Sequence, residues 1–176
     1  MDTQRLARFE HLWETLFPRV LGYALRRSDA EEARDVTSET FLVAWRRLDD
    51  VPRDDGALPW LLATARGILA NRRRSAGHGI RVGQLLAETR PVTSPDPAEA
   101  VAERAALAAA FARLDERDRD TLAMIAWDGL APREAALVAG CSPATFAVRA
   151  HRARRRLAAS IAVEDATALE IRRELS

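Results

Sequence analysis

The sequence predicts an all-α protein: two small helical domains joined by a flexible linker, the second containing a helix-turn-helix. Three observations carry this. Apolar residues recur at helical spacing through most of the chain, and no stretch alternates with period two over the length of a strand. Gly77, Gly79 and Gly83 are followed by Pro91, Pro95 and Pro97, which marks residues 76–96 as a linker. Residues 131–157 then place a glycine between two short helical patterns, the second rich in arginine.

Taken in order, Leu6, Phe9, Trp13, Leu16, Phe17, Val20, Leu21 and Ala24 follow one helical face, and Pro18 should kink or restart that run. Asp29 and Glu32 have capping-box spacing ahead of a second helix that turns Val36, Thr40, Val43 and Ala44 inward. Pro59 suits the first turn of a third helix with Leu61, Ala65, Ile68 and Leu69 as its buried stripe, and Trp60 at its start reads as core. Beyond the linker, Asp96, Pro97 and Glu99 restart helix as N-cap, first-turn proline and N3 acid, with Val101, Leu107, Phe111 and Leu114 inward. Pro132 opens a short helix, Gly140 can end it in the left-handed conformation, and Ser142 with Pro143 starts the next. The tail, residues 161–176, reads as a further amphipathic helix.

Charge sharpens this picture. The 27 basic residues are all arginine and nearly balance 26 acids, so the whole-chain figure points to no polyanionic partner. Their placement does. Residues 57–90 hold six arginines against Glu88 alone, and residues 143–157 hold five arginines and no acid. Cys141 is the only cysteine, which excludes an intrachain disulfide and a cysteine-rich zinc module. With no signal-peptide core and no long uncharged run, a cytoplasmic protein without membrane insertion is expected. His11, His78 and His151 have no metal-ligand spacing, and no nucleophile motif appears, so neither an enzyme nor a cofactor is expected.

On the helix that begins at Ser142, Phe146, Ala150, Ala153 and Leu157 fall on one stripe. Thr145, Arg149, Arg152 and Arg156 fall on another, about 90° around the helix. A core stripe beside a guanidinium stripe suits a helix lying in a DNA major groove, its N-terminal residues reaching base edges and Arg154–Arg156 near phosphates. In the front half, Glu32, Asp35 and Glu39 form an acidic stripe on the helix that also carries Phe41 and Trp45.

These pieces, in this order, resemble the extracytoplasmic-function (ECF) sigma factors of bacterial RNA polymerase. Residues 5–75 look like that family's region 2 and residues 103–158 like its region 4, with no region 3 between them. The resemblance implies that Asp35, Glu39, Phe41 and Trp45 bind core polymerase at the β′ clamp helices, with the β flap as a further contact. It implies that the loop 49–58 captures a flipped base of the −10 element, with Arg66, Asn71, Arg72, Arg73 and Arg74 lining the single strand. Ser142, Thr145, Val148, Arg149, Arg152 and Arg156 are implied to meet the −35 element, Val148 through a thymine methyl. Ser38 stands where the family usually has glutamine on the polymerase-docking helix, and Gly67 and Asn71 depart from the family pattern on the helix of residues 58–74, so a −10 consensus does not carry over. An anti-sigma factor is a further implied partner beside promoter DNA. The boundaries expected are 1–75, 76–96, 97–160 and 161–176. The alternative is a dimeric helix-turn-helix regulator that binds DNA without polymerase, against which the acidic front helix argues.

Overall fold

A computed structural model describes residues 3–76 and 97–174, with side chains over 3–72 and 101–163. Among the described residues it builds seven α-helices, a short 3-10 turn and no strand. The front half holds α1 (Thr3–Leu25), α2 (Ala30–Arg46), the 3-10 turn Leu48–Asp50 and α3 (Ala57–Ala76). The second half holds α4 (Pro97–Ala112), α5 (Glu116–Ala126), α6 (Pro132–Val138) and α7 (Pro143–Glu174). The expected linker lies outside the described residues from residue 77 onward, as do the side chains of Arg73 and Arg74.

The local signals act as the chemistry of caps requires. The Asp29 carboxylate accepts the Glu32 N–H at 2.8 Å and starts α2. The Asp115 side chain accepts the Asp118 N–H at 2.7 Å and starts α5. The Ser142 hydroxyl accepts the Thr145 N–H at 3.1 Å and starts α7. Between α6 and α7, Gly140 sits at φ +65°, where a side chain would be strained, and the Cys141 N–H returns to the Ala136 carbonyl at 3.0 Å. That turn is the expected helix-turn-helix.

Three expectations need correction. Val101, expected inward on α4, is 65% exposed. α1 runs unbroken through Pro18. Pro18 and Glu14, whose carbonyl the ring leaves without an amide partner, are both exposed, so water can serve that carbonyl. The tail is not a separate helix either, because α7 continues for 32 residues through Glu174. No glycine or proline interrupts residues 144–174, so nothing stops the helix once Ser142 and Pro143 have started it.

The core is not confined to each half. One hydrophobic cluster takes Leu12, Val20, Tyr23, Phe41, Leu61 and Leu69 from the front and Met124, Leu130, Val138 and Phe146 from the second half. A smaller cluster of Phe111, Leu114, Leu122, Ala123 and Ala153 joins α4, α5 and α7. α1 and α3 frame α2, and α3 packs against α6 across the seam.

Candidate functional site

Three surfaces gather the residues that the sequence singled out. On α2, Asp35 and Glu39 are exposed as expected. Leu42 stands 46% exposed beside them on the same helical face. It is an apolar residue on the acidic stripe that the sequence reading passed over, and its i, i+3 spacing from Glu39 was the available signal. Trp45 is half-buried, its ring 5.1 Å from that of Phe9. Phe41, expected to pack against a partner, is 1% exposed and lies among Phe9, Trp13 and Phe17. It supports the acidic face from beneath and has no surface of its own to offer, because an aromatic ring three residues before Ala44 on the inner stripe is taken by the core.

The residues expected at the −10 strand divide. Arg72 reaches back to α2, 2.9 Å from Glu39 and 3.6 Å from Asp35, so one arginine tethers both acids. Asn71 is exposed. Trp60 is half-buried against the main cluster, in line with its reading as core. Arg66 faces the other way, donating to Asp120 of α5 at 2.7 Å.

That contact belongs to a buried charge network across the seam. At the end of α1, Arg26 donates through Nε and a terminal nitrogen to Asp128 Oδ1, at 2.9 and 2.6 Å. Arg27 takes Asp128 Oδ2 at 2.8 Å and Asp120 Oδ1 at 2.9 Å. Arg66 takes the remaining Asp120 oxygen, so all four carboxylate oxygens are engaged. Arg19 adds a bond to the Asp128 carbonyl at 2.8 Å. Arg27 is 1% exposed and its guanidinium stacks 3.6 Å from the centre of the Tyr23 ring. Burial by itself would raise the Asp120 carboxyl, but the charges of Arg27 and Arg66 and their hydrogen bonds outweigh it and hold Asp120 below the usual carboxylate range. Gly129, at φ +65°, makes the turn that lets Asp128 face back toward α1. None of these acids was singled out from sequence.

The third surface is the outer face of α7. A groove of about 660 Å³ runs between the start of α5 and α7, lined by Thr145, Val148, Arg149, Arg152 and Arg156 on one side and Asp115, Arg117 and Asp118 on the other. All of these lining residues belong to the second half. Val148 is 50% exposed. Ser142 and Thr145 share a 2.9 Å hydroxyl contact while capping α7. Arg156 is tied to Asp118 at 2.5 Å and Asp115 at 3.4 Å. Among the described residues no ion pair engages Arg149 or Arg152. Nor do any described residues form a cluster of His, Cys, Asp and Glu able to hold a metal ion. No described helix is long and apolar enough to cross a membrane.

Comparison with known proteins matches both halves. Residues 12–78 fit the model of sigma-70 region 2 and residues 104–157 that of sigma-70 region 4. The ECF RNA polymerase sigma factor SigL of Mycobacterium tuberculosis is 34% identical over 140 residues, covering 77% of this chain and 78% of the relative. The RNA polymerase sigma factor NccH of Alcaligenes xylosoxydans is 31% identical over 150 residues, covering 80% of each. In fold, the chain is similar to the sigma factor RpoE of Bartonella quintana, solved with the anti-sigma factor NepR. The TM-score is 0.61 at 20% identity, over 88% of this chain and 97% of that one. CnrH, solved with the cytosolic domain of CnrY, gives a TM-score of 0.60 at 24% identity, over 92% and 91% of the two chains.

Proposed function

Because the chain belongs to the ECF sigma factors of the sigma-70 family, we propose that its surfaces divide the work of promoter recognition among three sites. The exposed acidic face of α2, with Asp35, Glu39, Leu42 and Trp45, docks on the β′ clamp helices of core RNA polymerase, whose basic residues meet the carboxylates. The outer face of α7 enters the −35 major groove, Thr145, Val148, Arg149 and Arg152 toward base edges and Arg156 toward phosphate. The loop 49–58 and the basic side of α3 hold the opened −10 strand. The observation that carries this reading is that the chain holds both an exposed acidic-apolar face on α2 and a groove on α7 lined by Arg149, Arg152 and Arg156.

No catalytic chemistry is assigned to the chain: nucleotide addition stays with core polymerase, in the cytoplasm where transcription proceeds. Two modest DNA contacts become strong when one platform carries both, because the second forms at high effective concentration. The working division is region 2 over 1–75, a linker over 76–96, region 4 over 97–160 and a tail over 161–176, the last two sharing α7. An anti-sigma partner fits the same reading, since RpoE was solved with the anti-sigma factor NepR. The dimeric regulator is not favoured, because matches to the sigma-70 family span both halves.

The test is co-elution of the chain with bacterial core RNA polymerase on gel filtration. Stoichiometric co-elution is expected, and it should vanish in the Asp35→Arg, Glu39→Arg double variant while circular dichroism stays unchanged. Retention of binding in that variant would reduce the acidic face to a solvated surface.

A further inference from the structure

α1 opens with two arginines on one helical face, Arg5 and Arg8, and both side chains are spent on the segment that leads out of α2. Arg8 forks. One terminal nitrogen donates to the Leu48 carbonyl at 2.7 Å and the other to the Val51 carbonyl at 2.5 Å, the two ends of the 3-10 turn. Leu48 and Val51 are 1% and 2% exposed. The Val51 carbonyl, just past the turn, has no backbone partner among the described residues and needs a donor where it is buried, whereas the Leu48 carbonyl already accepts the Val51 N–H at 3.3 Å and takes Arg8 as a second donor. Arg5 secures the same corner from outside. It donates to Asp49 Oδ2 at 3.0 Å and to the Trp45 carbonyl at 2.9 Å, with its guanidinium 5.5 Å from the Trp45 ring centre.

This corner leads into the loop VPRDDG, residues 51–56, which closes on itself where the Asp54 carboxylate accepts the Gly56 N–H at 3.0 Å. The loop and the two arginines face each other across one cavity of about 750 Å³. Arg5, Arg8 and His11 form the α1 wall, and Pro52, Asp54 and Leu58 the opposite one. That volume is within the range of about 300–1,000 Å³ common to sites that enclose a small ligand. The anchor therefore sits at the root of the loop and also on the wall opposite its tip.

We infer that Arg8, assisted by Arg5, is a positioning residue for base selection: by fixing both carbonyls of the 3-10 turn it sets the register of residues 51–56 and hence which −10 base the loop accepts. The inference rests on the reading that this loop captures a promoter base. Arginine is required for the geometry. A planar fork spans two carbonyls three residues apart, whereas a lysine ammonium is a single point that serves one of them well.

The test is run-off transcription by the reconstituted holoenzyme on a promoter library randomised over the −10 element, sequenced to give the base preference at each position. The wild-type chain should prefer one base by at least about tenfold at one or more positions, the size of a single mismatch penalty. In Arg8→Ala that preference should flatten below about threefold at one position, and Arg8→Lys should fall between. Co-elution with core polymerase and the preference at −35 should both be unchanged. Arg5→Ala, whose side chain is a third exposed, is the variant that keeps the fold if Arg8→Ala does not, and it should show a partial flattening. A uniform fall on every template with the −10 preference intact in all variants would overturn the inference and leave Arg8 a plain structural tie. A wild-type chain without any −10 preference would instead overturn the loop reading, and the inference with it.

Discussion

The seam between the halves and the outer face of α7 are built from the same two residue types, and burial alone gives them opposite roles. At the seam, Arg26, Arg27 and Arg66 surround Asp120 and Asp128, and all four carboxylate oxygens are taken. On α7, Arg149 and Arg152 line an open groove with no ion pair among the described residues. Only Arg156 is held there, by Asp118 and Asp115. A charge network out of water is worth having only when complete, because each missing partner strands a desolvated charge. A row of guanidinium groups in water costs little to leave unmatched, and so stays available for phosphate or a base edge. Arginine count therefore does not measure DNA-binding capacity in this chain.

The sharpest way to break this contrast is at Asp128. Asp128→Ala removes the buried carboxylate that Arg26 and Arg27 share and should cost about 3–5 kcal/mol of stability, read by urea unfolding. A loss under 1 kcal/mol would mean that water already reaches the seam. Next in size, Arg149→Ala should lower −35-dependent transcription by about 5- to 150-fold, equivalent to about 1–3 kcal/mol, with polymerase co-elution and unfolding unaltered. Loss of polymerase binding in that variant would erase the division between the two regions. Arg72→Ala tests an intermediate case, a half-exposed arginine joining Asp35 and Glu39. It should shift unfolding by less than about 1 kcal/mol. Smallest near neutrality is the effect of pH. Asp120 is held below its unfolded value, so its contribution is complete above about pH 4 and fades as acid protonates the folded carboxyl. Unfolding midpoints should be flat from this source between about pH 6 and 8 and fall below about pH 4. A decline starting near neutrality would point to another group.

Much of the fold was legible because its signals are local. The Asp29 cap, the Gly140 turn and the Ser142–Pro143 start each depend on residues within one turn of helix, and each forms as read. The outer stripe of α7 was legible for the same reason, since its spacing is set by one helix. The seam was not. Arg27 and Asp128 lie 101 positions apart, and no periodicity relates a buried pair on different helices. Arg66 illustrates the difficulty: its basic helix suggested a DNA strand, but a carboxylate on α5 lies within reach. Phe41 was misplaced because helical phase gives a direction and not the depth of what packs over it. Pro18 was overread because a ring on the solvent side leaves the broken hydrogen bond to water.

The shared hydrophobic cluster has a calorimetric consequence. Two domains with separate cores would melt as two overlapping transitions, each with its own enthalpy. Here the residues beneath α2 and those beneath the helix-turn-helix belong to one apolar body, so neither can lose its packing without exposing the other's. Heating should produce one endotherm whose calorimetric and van't Hoff enthalpies agree. The α4–α5–α7 cluster, smaller and set apart, is where early fraying should show first, as the fastest amide exchange among the buried helices.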